Sequence, residues 1–444
     1  MTADTLGAAW MTRRLRELGV PARGARLCLA YSGGADSSAL LAALAALPRR
    51  SFARIRALHV NHQLQADAAE WAARALTRAA SLRVGARVLT VDVDAAGRSI
   101  EAAAREARYA ALGEALQDGE YLLTAHHRED QAETLLLQLL RGAGVAGLAA
   151  MPACARFASG WLLRPLLDVS RDELRRFAKR RGMDWVEDPS NCDPRFDRNF
   201  LRREIMPLLI GRWPAAAVTL QRSAAHLAEA QQMLDAVAGK ALDAAAVGSA
   251  LQVSALRALS MPARSGLLRY WLRRHGLPAP GQRQLREMTT ALLAARPDAK
   301  PVVRWPGAEV HRHAGLLHAM PPLASPPPVI RWVWQRRRQL VIPGAGTLQL
   351  VNDPHGDLCL SRLPQCLELR FRVGGERLAV AIGHKPLKDL LREQGLPPWQ
   401  RERLPLIRAG RELVAVADLW VAPAYLSSVD CRRRARFRWS PEFA

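Results

Sequence analysis

Apolar and polar positions follow a repeating order along the first half of the chain. Leu27-Cys28-Leu29-Ala30-Tyr31 is a short apolar run that enters Ser32-Gly33-Gly34-Ala35-Asp36-Ser37-Ser38, and an Ala/Leu-rich run follows from Ala39 to Leu47. This reads as strand, tight loop and helix. Residues 54–60 read as a second strand ending in Asn61-His62, residues 87–93 as a third, and Tyr121 to Ala125 as a fourth. Ser99-Ile100-Glu101 opens a helix with a capping hydroxyl and an early acid, and Ala102 to Leu116 continue it. Strands alternating with helices predict a parallel sheet covered on both faces. Ligands of such sheets gather beyond the carboxyl ends of the strands, where the Gly-Gly loop, His62 and His126 all fall.

The pattern changes after Gly211-Arg212-Trp213-Pro214. Residues 216–300 are Ala/Leu-rich with charges at helical spacing and read as a small helical bundle, with Arg269, Arg273 and Arg274 either facing RNA or, the simpler reading, on a solvated face. Pro321 to Pro328 holds five prolines in eight positions, which suits neither helix nor central strand and marks a linker. Short β-like runs follow at 331–334, 347–351, 367–373 and 413–417, broken by Gly and Pro. The expected class is α/β. A parallel-sheet domain over 1–215 precedes a helical domain over 216–320, a Pro-rich linker over 321–330 and a small α+β domain over 331–444.

Composition narrows the partners. The 444 residues carry a formal charge of +23, and all three segments share the excess. A basic surface so spread suits a large polyanion better than a small anionic substrate. An arginine-rich composition is the competing explanation, since only five of the 64 basic residues are lysine. The six cysteines lie far apart with no Cys-x-x-Cys pair, which argues against a zinc site or a disulfide framework and predicts reduced thiols. The apolar runs are shorter than a membrane span, and the first ten residues lack a basic start followed by an apolar core. A cytoplasmic protein is expected.

Two stretches carry the chemistry. In the first, Gly33 and Gly34 let the backbone approach a ligand closely. The Ser hydroxyls, loop N–H groups and helix N-terminus form an anion site. Asp36 is out of place there unless a cation accompanies the anion, as in a phosphate bound with Mg²⁺. No Gly-Lys-Ser/Thr occurs, so this is not the commonest phosphate loop. It resembles the loop of the ATP pyrophosphatase (PP-loop) superfamily, whose members cleave ATP between the α- and β-phosphates. In the second stretch, a helix starting near His127 would set His126, Asp130 and Glu133 on one face. Two carboxylates and an imidazole there could hold Mg²⁺, grip an ammonium group or remove its proton. Arginines at 195, 198, 202 and 203 suit either phosphate binding over the site or ion pairs on a surface helix.

The motifs in series resemble one family. Ser32-Gly33-Gly34-x-Asp36-Ser37, His59-Val60-Asn61-His62, the 126–133 stretch with Arg141-Gly142, Arg164-Pro165-Leu166, and Glu187-Asp188-Pro189-Ser190-Asn191 with Arg198-Asn199 occur in the order of the tRNA(Ile)-lysidine synthetase family. Glu129 departs from the pattern, which usually has Asp before the second acid. The resemblance implies a PP-loop fold and an ATP-dependent ligase. ATP would adenylate the C2 oxygen of the wobble cytidine in the CAU anticodon of tRNA(Ile), and free L-lysine would then displace AMP. It further implies that Ser32, Gly33, Gly34, Ala35, Ser37, Ser38 and His62 hold ATP, with Asp36 on its Mg²⁺ or on the amino acid. Asp130 and Glu133 would grip lysine, His126 would act as base, and Arg198 would offset developing charge. A C-terminal likeness to the family's tRNA-recognition domain points to Lys385, Lys388, Arg401 and Arg403 for RNA. No protein partner is implied, though a homodimer is compatible. Three rivals read less well. A tRNA thiolase on this fold needs reactive cysteines near the loop, and Cys28 lies in a strand. A glutamine-dependent synthetase wants an N-terminal Cys, where position 2 is Thr. A non-catalytic RNA-binding protein would have lost the loop or the acids.

Overall fold

The computed structural model describes residues 6–48, 52–65, 67–94, 100–187, 195–296, 299, 301–380, 383–428 and 431–442, without the side chains of 53 and 101. The expected cap at Ser99, the stretch 188–191 and Cys192 lie outside them. Two compact units result, Met1–Met233 and Leu234–Ala444.

The first unit runs α1 (Ala8–Glu17), β1 (Ala25–Ala30), α2 (Ala35–Ala45), β2 (Phe52–Asn61), α3 (Ala68–Ser81), β3 (Gly85–Thr90), α4 (Ile100–Ala115), β4 (Tyr121–Leu123), α5 (Arg128–Leu140), α6 (Val145–Leu148), β5 (Cys154–Phe157), β6 (Gly160–Leu163) and α7 (Arg171–Arg180). The sheet order is β3-β2-β1-β4-β6-β5, parallel except for β5, which pairs antiparallel with β6 at one edge. The chain winds outward from β1 to β3, then returns to β4 on the other side of β1. The crevice beyond β1 and β4 is therefore the switch point where α/β sheets bind ligands. Leu27 and Leu29 of β1 and Leu40, Leu41 and Leu44 of α2 are fully buried in one core. Because α2 is apolar nearly all round, it has no solvent face to drift toward, and it holds the loop before it firmly. Replacing one of these leucines by Ala costs about 2–5 kcal/mol.

At the opposite, amino end of the strands, Arg56 of β2 forks onto Glu120, with Nε to Oε1 at 2.7 Å and Nη2 to Oε2 at 2.6 Å. Past α7, one helical rod carries α8 (Asp197–Phe200), a single π-helical stretch (Leu201–Ile205) and α9 (Met206–Arg212). The long helix Ala216–Ala245 follows.

The second unit adds a sheet to what the sequence presents as a helical bundle. Helices at Val253–Ala258, Met261–Arg274, Gln282–Thr289 and Ala291–Ala294 pack with a five-stranded antiparallel sheet that includes Val302–Trp305, Ala308–His313 and Leu316–Met320. Two tight turns make those hairpins. Pro306-Gly307 forms one, with Gly307 at φ +83°, and Ala314-Gly315 the other, with both residues at positive φ. An Ala at positive φ is not a turn signal that sequence reading can see. Residues 321–328 carry no regular element. Beyond them lie a five-stranded and a four-stranded antiparallel sheet, the last strand being Arg434–Pro441.

The expectation of reduced cysteines needs correction. Cys359 and Cys431 form a disulfide, with Cα atoms 6.0 Å apart across 72 residues of chain. Strand pairing brings them together: Cys359 pairs with Arg434 on the last strand, three residues beyond Cys431.

Candidate active site

The loop between β1 and α2 is built on Gly33, at φ +83°, a left-handed conformation that side chains resist. Gly34 then caps α2 in extended conformation. Ser37 Oγ donates to the Gly34 carbonyl at 3.0 Å and lies 2.9 Å from Ser32 Oγ. Ser38 is fully buried, 3.2 Å from the Tyr31 hydroxyl. The loop's hydroxyls hydrogen-bond among themselves and to its backbone, and the first N–H groups of α2, which a helix leaves without intrahelical partners, are of the kind that binds an anion. Ala35 in this cradle is buried.

Asp36 is the exception in this cradle. Its Oδ1 is buried with no hydrogen-bond partner, and burial raises the carboxyl's pKa despite the nearby His127 and arginines. A hard cation that keeps most of its waters, such as Mg²⁺ bound with phosphate, needs only one or two protein carboxylates. An orphaned buried carboxylate oxygen beside a phosphate cradle fits that need. Among the described residues, no group of three or more His, Cys, Asp or Glu is placed to hold a metal without such help.

Asp130 and Glu133 come from the first turns of α5, which starts at the carboxyl end of β4. Asp130 Oδ2 accepts from the His127 backbone N–H at 3.0 Å, fixing the helix start. Arg198 donates from Nε to Glu133 Oε2 at 2.9 Å and from Nη2 to Asp130 Oδ1 at 3.0 Å. Arg202 adds Nε to Glu133 Oε1 at 2.7 Å, Nη2 to Glu133 Oε2 at 2.8 Å and Nη2 to Asp130 Oδ1 at 2.9 Å. Burial alone would raise the Asp130 pKa, but His127 and the two arginines hold it well below the carboxylate range.

The two neighbouring histidines differ. His126 is 2.8 Å from Thr124 Oγ1 through Nδ1, and burial pushes its pKa down to about 3. It is a neutral imidazole near pH 7, an acceptor rather than a strong base. His127 is buried among three acids, with Nδ1 3.0 Å from Glu129 and Nε2 3.6 and 3.4 Å from Asp36 and Asp130. Burial opposes its charge, but Asp130, Glu129 and Asp36 outweigh it and raise the pKa.

The structure brings Asp36, His126, Asp130, Glu133 and Arg198 into one cluster. His62 stands beside Arg108, which donates to its Nε2 at 3.1 Å, and it shares no hydrogen bond with the acids of α5. Burial, Arg108 and His59 push its pKa down to about 4. The C-terminal cations are partly committed elsewhere. Lys385 pairs with Glu393 at 2.8 Å, and Arg401 donates to the Leu396 carbonyl. Arg403 donates to the carbonyls of Gly344, Trp399, Leu323 and Ala324. Lys388 is exposed on its helix. Cys28 is fully buried in β1 and its thiol is pushed up to about 12 by burial, so it presents no thiolate to the loop.

Sequence reading does not assign the roles of three residues of the site. Arg202 stands out only as one of four arginines suited to phosphate binding or to surface ion pairs, and its grip on Asp130 and Glu133 is not foreseen. His127 looks like a duplicate of His126. Glu129, the departure from the family pattern, accepts from the Arg171 backbone N–H at 3.0 Å and so ties α5 to α7.

Residues 8–209 match the model of the PP-loop domain, 251–318 that of the TilS substrate binding domain, and 367–439 that of the TilS substrate C-terminal domain. The tRNA(Ile)-lysidine synthase of Alkalilimnicola ehrlichii is 43% identical over 419 residues, covering 94% of each chain. That of Pseudomonas aeruginosa is 43% identical over 439 residues and covers 93% of each. That of Methylococcus capsulatus is 38% identical over 426 residues, 94% of this chain and 97% of the relative.

Proposed function

The chain belongs to the tRNA(Ile)-lysidine synthase family, and from that premise we propose how its own residues carry out the reaction. The enzyme is an ATP-dependent carbon–nitrogen ligase that modifies tRNA. The C2 oxygen of the wobble cytidine attacks the α-phosphorus of ATP and pyrophosphate leaves. The ε-amino group of free lysine, after losing a proton, attacks C2, and AMP departs with the former carbonyl oxygen. Adenylation is needed because a carbonyl oxygen is a poor leaving group.

Ser32, Gly33, Gly34, Ala35, Ser37 and Ser38 would form the phosphate cradle, and His62, just past the end of β2 and beside Arg108, would hold ATP with them. Mg²⁺ held at Asp36 would neutralise charge on the departing pyrophosphate. Asp130 and Glu133 bind the lysine ammonium, and Arg198 faces the charge that develops on the activated oxygen or phosphate. His126, the base that the family resemblance implies, is neutral beside Asp130 and with a pKa of about 3 would accept a hydrogen bond from the lysine amine rather than hold its proton. Lys388, with Lys385, Arg401 and Arg403 around it, contributes to tRNA binding through phosphates. The reaction belongs in the cytoplasm, where its three substrates occur together.

One observation carries this reading. A phosphate cradle with an unpartnered carboxylate oxygen lies at the end of β1, and an acid pair suited to an ammonium lies at the end of adjacent β4. Incubation with ATP, lysine and tRNA(Ile) bearing a CAU anticodon, followed by nucleoside mass analysis, tests it. Lysidine should appear only when all three are present. Its absence with folded protein would overturn the reading.

A further inference from the structure

Asp130 and Glu133 are assigned to the lysine ammonium, yet both are already paired. The Glu133 side chain is only 1% exposed, and each of its oxygens accepts from a guanidinium. Two carboxylates face two arginines, so the quartet is neutral. Bringing in an ammonium would add a further cation to two acids that already hold two guanidiniums, and burying an uncompensated charge is costly. Either lysine binds elsewhere or one guanidinium gives way.

The geometry distinguishes the two arginines. Arg202 Nη2 lies 2.8 Å from Glu133 Oε2 and 2.9 Å from Asp130 Oδ1. It is a cationic nitrogen touching both acids, which is where an ε-ammonium bound to both would put its own. Arg202 also covers both oxygens of Glu133 side-on, whereas Arg198 reaches only Oε2. Arg202 belongs to the π-helical stretch Leu201–Ile205, a local departure from α geometry of a kind often found at functional sites.

We propose that Arg202 is an internal surrogate for the substrate's amine: its Nη2 fills the ammonium position while lysine is absent, and lysine displaces it on binding. This rests on the assignment of Asp130 and Glu133 to lysine. The arginine keeps the acids charge-balanced and closed to stray cations, and lysine must out-compete it. Apparent lysine affinity is then reduced by the fraction of enzyme with Arg202 seated.

Calorimetric titration of lysine into the full chain, wild type against Arg202→Gln, tests the proposal. Lysine should bind about tenfold more tightly to the variant. A residue with a merely structural role would not tighten lysine binding when removed. Arg202→Lys, which keeps the charge but cannot fork onto Glu133, should give an intermediate affinity and guards against misfolding of the first variant. In Arg202→Ala, guanidinium chloride at millimolar concentration should compete with lysine, and it should not do so in wild type. Equal or weaker lysine binding by all variants, at unchanged melting temperature, would overturn the surrogate role alone. Absence of lysine binding in wild type and variants, while ATP still binds, would overturn the lysine assignment with it.

Discussion

Nε2 of His127 lies 3.6 Å from Oδ2 of Asp36, joining the phosphate loop of β1 to the first turn of α5. The same nitrogen is 3.4 Å from Asp130, so one imidazole, its pKa raised by these acids, lies between the buried Asp130 and the half-buried Asp36, which would otherwise repel. His127→Asn should therefore lower stability by about 1–3 kcal/mol, the range for stranding a buried polar partner. ATP-dependent pyrophosphate release should fall at least tenfold. Thermal melting and a pyrophosphate assay check both, and unchanged values in each would remove His127 from the site.

Asp36→Ala should abolish pyrophosphate release while leaving tRNA affinity within a few-fold. The carboxylate faces the phosphate cradle, and nothing places it on the RNA. Normal pyrophosphate release by the variant would show that Asp36 serves neither the metal nor the chemistry.

The acid pair separates the two half-reactions. Asp130→Asn or Glu133→Gln should slow lysine transfer, since a neutral amide holds an ammonium less well than a carboxylate does. Adenylated tRNA should then accumulate, visible by mass analysis after nuclease digestion. If adenylation fails instead, these acids serve the nucleotide and not the amine.

Much of this site is legible in the sequence because each part is local. Ser32 to Ser38 sits between an apolar strand and an apolar helix, and Asp130 and Glu133 are three residues apart on one helix. What the sequence hides is the cross-linking. Arg202 is 69 residues from Glu133, and only the packing of the rod 197–212 on α5 brings them together. Lys385 and Arg403 look available for RNA as isolated basic residues. Glu393 and four backbone carbonyls meet them only once the chain is folded. The Cys359–Cys431 pair is hidden in the same way, set by a strand register that spacing does not reveal.

Glu120 gives a pH-dependent prediction away from the chemistry. Burial favours its neutral form, but the fork from Arg56 outweighs this and lowers its pKa below the ordinary 4.5. A carboxyl with a depressed folded pKa contributes stability that is fully present above its unfolded value and lost as pH falls through the folded one. Glu120→Gln should be about 3 kcal/mol less stable near pH 7, because it leaves Arg56 without its counter-charge. The gap to wild type should close below pH 4.5, as read from melting temperatures. A gap independent of pH would mean that packing, not charge, accounts for it.

For RNA, changing Lys385 and Lys388 to Ala should weaken full-length tRNA binding and flatten its salt dependence, since each phosphate contact releases counterions. Lys388 should account for the larger share, because Lys385 already has Glu393 for a partner. ATP consumption with a short anticodon stem-loop should barely change. Equal loss on both RNAs would indicate a folding defect.

The π-helical stretch between α8 and α9 also settles a matter of phase. Residues 198, 202 and 206 are spaced by four, and in a regular α-helix each such step drifts by about 40° around the axis. Left uncorrected, two steps would swing Met206 well away from the side that carries Arg198. The wider turn takes back part of that rotation. One edge of the rod thus grips α5 twice, with guanidiniums on Asp130 and Glu133 and with Met206 against Ala132. Deleting a single residue within 203–205 would let the rod close as a regular α-helix, with Met206 seven residues from Arg198 and still within about 20° of its side, so the wide turn houses one extra residue without costing the rod its gripping edge.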